Sequence, residues 1–266
     1  MGQDLLDYIG EVSSDFLDVV SKSSKPVRIV GNLDTDGITS TSIICKTLSR
    51  LDIRYVVSVV KQVNSELLDA LKREDYDVII FSDLATAYIT ELSNEFDNDI
   101  FVLDHHFPEV EEKRVGKVRQ VNPHLFGVNG TKEISAAGIS YFFAKSLNEV
   151  NKDMSYLALV GAIGDMQEDY GFKGMNCLIL EDALSESNDL KYLRTLKAKD
   201  SSSNIFSIAS LRLLLSFFKN LVNSKKISLS EFGFYGPITY RYLSWVNLQK
   251  RVSDYFLYKY YLSLTK

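Results

Sequence analysis

Three apolar runs end in groups that hold cations or move protons. Asp34 and Asp36 lie in GNLDTDG, Asp83 in VIIFSDLA, and Asp104, His105 and His106 in VLDHH. A fourth carboxylate position, Asp165, lies in GAIGDMQ, where Gly161 and Gly164 permit close backbone approach. One aspartate after a strand is ordinarily a turn former or a helix cap, and one histidine pair is unremarkable. Convergence changes the reading. Carboxylates crowded at one sheet edge raise one another's pKa, and a folded chain tolerates that mainly when cations occupy the site. Oxygen ligands mixed with imidazole suit Mn2+ or Mg2+. More than four ligands point to two ions about 3.5–4 Å apart, the arrangement of phosphoryl chemistry.

Convergence requires that the runs be strands of one sheet. Apolar residues at helical spacing predict a helix over 3–22, and Pro26 then breaks into the strand VRIVG. A helix in ITSTSIICKTLSRL follows. The alternation continues with strands at 55–60, 77–83 and 99–106 and helices near 64–73 and 88–96. Apolar strands alternating with helices predict an α/β fold, a parallel sheet flanked by helices on both faces. A short strand, KVRQV, leads to NPHLFG, where Pro123 and Gly127 make a turn that His124 caps. Helices are then expected at 135–148, 155–166 and 174–186. The Ser-rich KDSSSN marks a boundary. The expected organisation is a domain over 1–198, a linker over 199–204 and a short, mainly helical C-terminal region over 205–266.

Composition bounds the function. A net charge of −5 argues against coating nucleic acid through bulk positive charge. Cys45 and Cys177 are far apart without metal-ligand spacing, which fits a reducing compartment. The N-terminal stretch is acidic and interrupted by polar residues, unlike a signal peptide or a membrane span. A cytoplasmic protein is expected. The aromatic, Lys- and Arg-bearing C-terminal region either packs as helices on the main domain, offers a partner surface, or stacks on single-stranded DNA.

In their order, LDTDGITS, FSDLA, VLDHH and GAIGDMQ resemble the four motifs of the DHH phosphoesterase superfamily. VNPHLFGVNG, SAAGISYFFAKSLN, LALVGAIGDMQ and GMNCLILEDAL are similar to its archaeal RecJ-like branch, the GINS-associated nucleases. The likeness covers residues 25–190 or so. It implies Mn2+-dependent hydrolysis of phosphodiesters in single-stranded DNA or RNA, with Mg2+ as the other candidate ion. It carries over Asp34, Asp36, Asp83, His105 and Asp165 as metal ligands, Asp83 bridging. His106 would face the scissile phosphate and Asp104 would orient the histidine pair. His124 would line the phosphate pocket. Asn32 stands where the branch usually has histidine, so one of the two ions is expected to bind weakly.

Most relatives carry a glycine-rich GGGH-type motif in a further domain, and no such motif occurs in these 266 residues. The branch implies a place in archaeal replication or repair, near the nucleoid, with GINS and the ring helicase as partners and no membrane contact. The leading expectation is a single-strand phosphodiesterase or exonuclease. The alternative is a catalytically weak or inactive component of the replicative helicase. A phosphatase for dinucleotides or pyrophosphate would need a larger second domain to close over its ligand.

Overall fold

A computed structural model describes residues 2–168 and 171–186. The expected linker over 199–204 and the helical region over 205–266 lie outside the described residues.

Six strands form one sheet: β1 (Val27–Asn32), β2 (Tyr55–Val60), β3 (Val78–Ser82), β4 (Asp99–Leu103), β5 (Arg114–Val115) and β6 (Val118–Val121). Their order is β2-β1-β3-β4-β6-β5. All neighbouring pairs are parallel except β5 with β6, a two-residue antiparallel pairing too short to show in the hydrophobic pattern. The expected α/β class is the observed one.

The helices are α1 (Gln3–Lys22), α2 (Thr35–Arg50), α3 (Ser65–Lys72), α4 (Ile89–Glu95), α5 (Ala136–Leu147), α6 (Ser155–Gly164) and α7 (Met175–Glu186). Strand residues alternate between two apolar layers. Val30, Ile79, Phe81, Ile100 and Val102 pack with Leu68 and Leu71 of α3 and Ile89 and Leu92 of α4. On the opposite face, Phe16 of α1 meets Phe101 of β4 and Phe143 of α5 edge to face, with ring centroids 5.4 and 5.5 Å apart. At the sheet edge, Val56, Val57 and Val59 of β2 are exposed, so among the described residues covering on both faces holds for the inner strands and not for this one.

Several element ends differ from the expectation, and the differences concern the site. Helix α2 starts at Thr35, earlier than its apolar pattern suggests, because Asp34 is its N-cap and accepts from the Gly37 N–H at 2.9 Å. Strand β4 stops at Leu103, which releases Asp104, His105 and His106 from the ladder. Asp83 sits just past β3 at φ 61°, the left-handed region that aspartate tolerates better than most side chains. Strands β1, β3, β4 and β6 end flush, with Gly31 beside Ser82, Ser82 beside Leu103 and Leu103 beside Val121. The carboxyl ends of four adjacent parallel strands therefore open on one crevice. The chain order reverses between β1 and β3 there, where open α/β sheets hold their ligands.

Candidate metal centre

The loops after three neighbouring strands and the end of α6 bring four carboxyl-bearing stretches to this crevice. His105 Nε2 lies 3.1 Å from Asp165, 3.3 Å from Asp83 and 3.6 Å from Asp36. Two sets of ligand atoms lie within 4.8 Å of one another, Asp83–His105–His106 and Asp36–His105–Asp165, and His105 belongs to both.

Hydrogen bonds aim the two histidines and Asp36. His105 Nδ1 is 2.7 Å from the Gly130 carbonyl oxygen. A carbonyl only accepts, so Nδ1 carries the hydrogen and Nε2 is turned to the carboxylates. Asp104 is buried behind the pair. Its Oδ1 accepts from the His105 and His106 N–H groups at 2.8 and 3.2 Å and from His106 Nδ1 at 2.7 Å. Its Oδ2 accepts from the Thr86 N–H at 3.1 Å. Asp36 accepts from Ala136 N and Ala137 N at 2.7 and 2.9 Å, so the first turn of α5 points its unpaired N–H groups at this carboxylate. An added Cβ on Gly161 would come within 2.3 Å of Asp36 Oδ1, which explains the glycine in GAIGD.

The electrostatics carry the signature of a cation site. Burial, then the neighbouring Asp36, push the Asp83 carboxyl well above the ordinary range. Burial raises Asp36 too, and burial followed by Asp36 brings Asp165 to about 7. Burial pulls the His105 imidazole down, yet Asp83, Asp36 and Asp165 outweigh it and hold it well above its usual value. The bond to Asp104 raises His106. For Asp104 burial works upward, but the two histidines and the Thr86 N–H prevail and keep it low. Both Asp83 oxygens are buried with no hydrogen-bond partner. A buried carboxylate without donors is costly unless a cation takes their place. The oxygen-rich, imidazole-bearing set around it fits a hard divalent ion.

The remaining expected site residues lie at the margin. Asp34 commits Oδ1 to its cap and falls in neither ligand set, although its charge raises Asp83 and Asp165. Asn32 Oδ1 accepts from the Leu33 N–H at 2.6 Å, and Asn32 falls in neither set. His124 Nε2 is buried without a hydrogen-bond partner.

Sequence reasoning missed the supports. Gly130 sits in an ordinary NGT turn, yet its carbonyl fixes His105 and also accepts from Gln167 Nε2 at 2.9 Å. Thr86, Gln120 and Asn122 form a buried chain beside Asp104, in which Asn122 Nδ2 reaches both Thr86 Oγ1 at 2.9 Å and the His106 carbonyl at 2.8 Å. Only the short distance from NPH to the histidine pair in chain order hinted at Asn122.

Residues 26–162 match the DHH family, N-terminal domain. An uncharacterized protein of Methanocaldococcus jannaschii is 32% identical over 186 residues, covering 68% of this chain and 41% of that one. The single-stranded-DNA-specific exonuclease RecJ of Bacillus subtilis is 28% identical over 166 residues, 59% of this chain and 21% of that one. The chain thus spans less than half the length of either relative. Among solved structures, exonuclease RecJ bound to manganese superposes with a TM-score of 0.56 at 21% identity, over 76% of this chain and 55% of that chain. CDC45 from Entamoeba histolytica superposes with a TM-score of 0.51 at 15% identity, over 66% and 38%. These two likenesses show the fold. Among the described residues no helix is long and apolar enough to cross a membrane.

Proposed function

We propose that this chain, which belongs to the DHH family, hydrolyses phosphodiester bonds in single-stranded DNA or RNA with two divalent cations, Mn2+ or Mg2+. The observation that carries this reading is Asp83. Its two buried oxygens receive no backbone hydrogen bond, and His105 Nε2, 3.3 Å from it, also lies 3.1 Å from Asp165 and 3.6 Å from Asp36. The resemblance to an exonuclease specific for single-stranded DNA supports the substrate.

Asp36, Asp83, His105 and Asp165 would hold the ions, with Asp34 completing the set. Divalent ions supply Lewis acidity to the phosphoryl oxygens and ease deprotonation of the attacking water. The chain's own work is positioning. Gly130 keeps His105 Nε2 turned to the ligand set. Asp104 holds His106 by Nδ1, which leaves Nε2 of this half-exposed ring to meet a phosphate oxygen. His124 and Asn32 are assigned to the substrate side of the crevice. Asn32 would offer only a neutral amide oxygen where the resembled branch usually has histidine, so one of the two ions is expected to bind the more weakly.

A second reading is a non-catalytic partner of GINS and the ring helicase in archaeal replication. It is favoured by Asn32 and by the fold shared with CDC45. Incubation with an end-labelled single strand and Mn2+ separates the two. Shortening of the strand supports hydrolysis, whereas an intact strand together with stable co-purification of GINS supports the partner role.

A further inference from the structure

Phe107 follows the histidine pair directly and is the most exposed large apolar side chain among the described residues, at 77%. Exposed phenylalanines are common, but this one is held in place. Its ring stacks on His124, with centroids 4.4 Å apart and an interplanar angle of 17°. His124 is in turn wedged from behind. A Cβ on Gly130 would meet His124 Nε2 at 2.8 Å and the His105 carbonyl oxygen at 2.2 Å, so the Gly130 backbone packs directly against both. Asn122 joins the two arms of the stack, donating to the His106 carbonyl at 2.8 Å and accepting from the His124 N–H at 3.0 Å.

The result is a two-ring stack fixed to the metal centre through Gly130, with one aromatic face turned to solvent. The His124 ring lies nearly parallel to Phe107 and presents a face to it, so here it acts as a packing surface. Such a face suits a planar, uncharged group entering beside the phosphate. A nucleobase is that group, and every base has a π-face, so stacking tolerates any sequence.

We propose that Phe107, backed by His124, is a stacking platform for the nucleobase next to the scissile phosphate, which selects nucleic acid over inorganic polyphosphate. This rests on the hydrolytic reading for what is cut, but the stacking is measurable without turnover.

The test uses the full chain with Mn2+, a short single strand of 2-aminopurine nucleotides, and an abasic strand of equal length. Fluorescence is read on mixing, and hydrolysis of both strands is followed afterwards. The wild type should quench 2-aminopurine emission. Phe107→Ala should lose the quenching and bind the base-bearing strand about ten- to hundredfold more weakly, the size of one base–aromatic stack. It should bind the abasic strand and Mn2+ as the wild type does, and Phe107→Trp should retain all three. Equal losses on both strands, or none on either, overturn the platform. Selective loss of quenching without hydrolysis by any variant keeps the platform and removes the nuclease reading. Wild-type hydrolysis that Phe107→Ala reproduces on the base-bearing strand keeps the nuclease reading and removes the platform. A wild type that neither binds nor cuts removes both.

Discussion

The carbonyl oxygen of Gly130 lies 2.7 Å from His105 Nδ1 and so decides which imidazole nitrogen faces the carboxylates. Gly130 supplies no ligand atom itself, yet an added methyl there would press on the His105 carbonyl and the His124 ring. Gly130→Ala is therefore expected to weaken Mn2+ binding by about 10–100-fold, as loss of a partner behind a metal-ligating histidine typically does. Calorimetric titration of the variant checks it, and circular dichroism establishes that the fold persists.

The metal-free chain should lose stability as pH rises. Asp165 titrates near 7 in the folded chain against an ordinary carboxylate near 3.8, and Asp36 and Asp83 are raised as well. Groups raised on folding contribute stability that is present below their unfolded pKa and lost as pH climbs through the folded one. His105 and His106 are raised and act in the same direction, while His124, lowered chiefly by burial, opposes them. Asp15, Asp77, Asp104 and Asp182 are lowered, so their stability fades only in acid, below the ordinary carboxylate range. Thermal melts in chelator should show Tm falling by more than about 4 °C between pH 5 and pH 8, the effect of about 1–2 kcal/mol in a domain of this size. Saturating Mn2+ should remove the fall. A Tm that rises over that interval in chelator contradicts the charge balance described above.

Asp83→Asn separates function from stability. Asparagine tolerates the φ of 61° and removes a buried charge crowded by Asp36, Asp104 and Asp34. Without metal, the variant is expected to melt no lower than the wild type at pH 8. With Mn2+ it should lose the ligand-induced rise in Tm that a bound ion confers. A variant that is destabilised in chelator and still gains Tm from Mn2+ would show that Asp83 is a structural residue.

Close approach at Gly161 gives a further check. A methyl group there meets Asp36 Oδ1 at 2.3 Å and Ala137 Cβ at 2.4 Å, so α6 and the start of α5 would have to separate. Gly161→Ala should cost about 1–3 kcal/mol of stability, the usual penalty for overpacking, and weaken Mn2+ binding with it. Urea titration read by fluorescence measures the first effect. An unchanged midpoint would mean that the helices give way easily.

The parts of the site that use strand ends were legible from the sequence, because carboxylates placed after apolar runs in a parallel sheet have one crevice to occupy. Asp83 and the histidine pair are of this kind. The finer roles were not. Whether an aspartate caps a helix or binds a cation depends on which donors reach it: Asp34 and Asp36 are two residues apart, and Gly37 claims an oxygen of one while α5 presents N–H groups to the other. Gly130 and Asn122 were invisible for a different reason. Their contribution is a backbone carbonyl or an amide bridge, set by tertiary packing and not by residue pattern. The two-residue β5 fell below the length at which alternation is readable.

Calorimetric titration of Mn2+ into the wild type and Asp83→Asn, at pH 8, tests the metal centre most directly. Two binding events are expected in the wild type, one weaker than the other because Asn32 offers only a neutral amide oxygen. In Asp83→Asn both should weaken by about a hundredfold or more, roughly 2.7 kcal/mol each. No saturable binding by the wild type, or the same binding by both proteins, would contradict a metal centre built on Asp83.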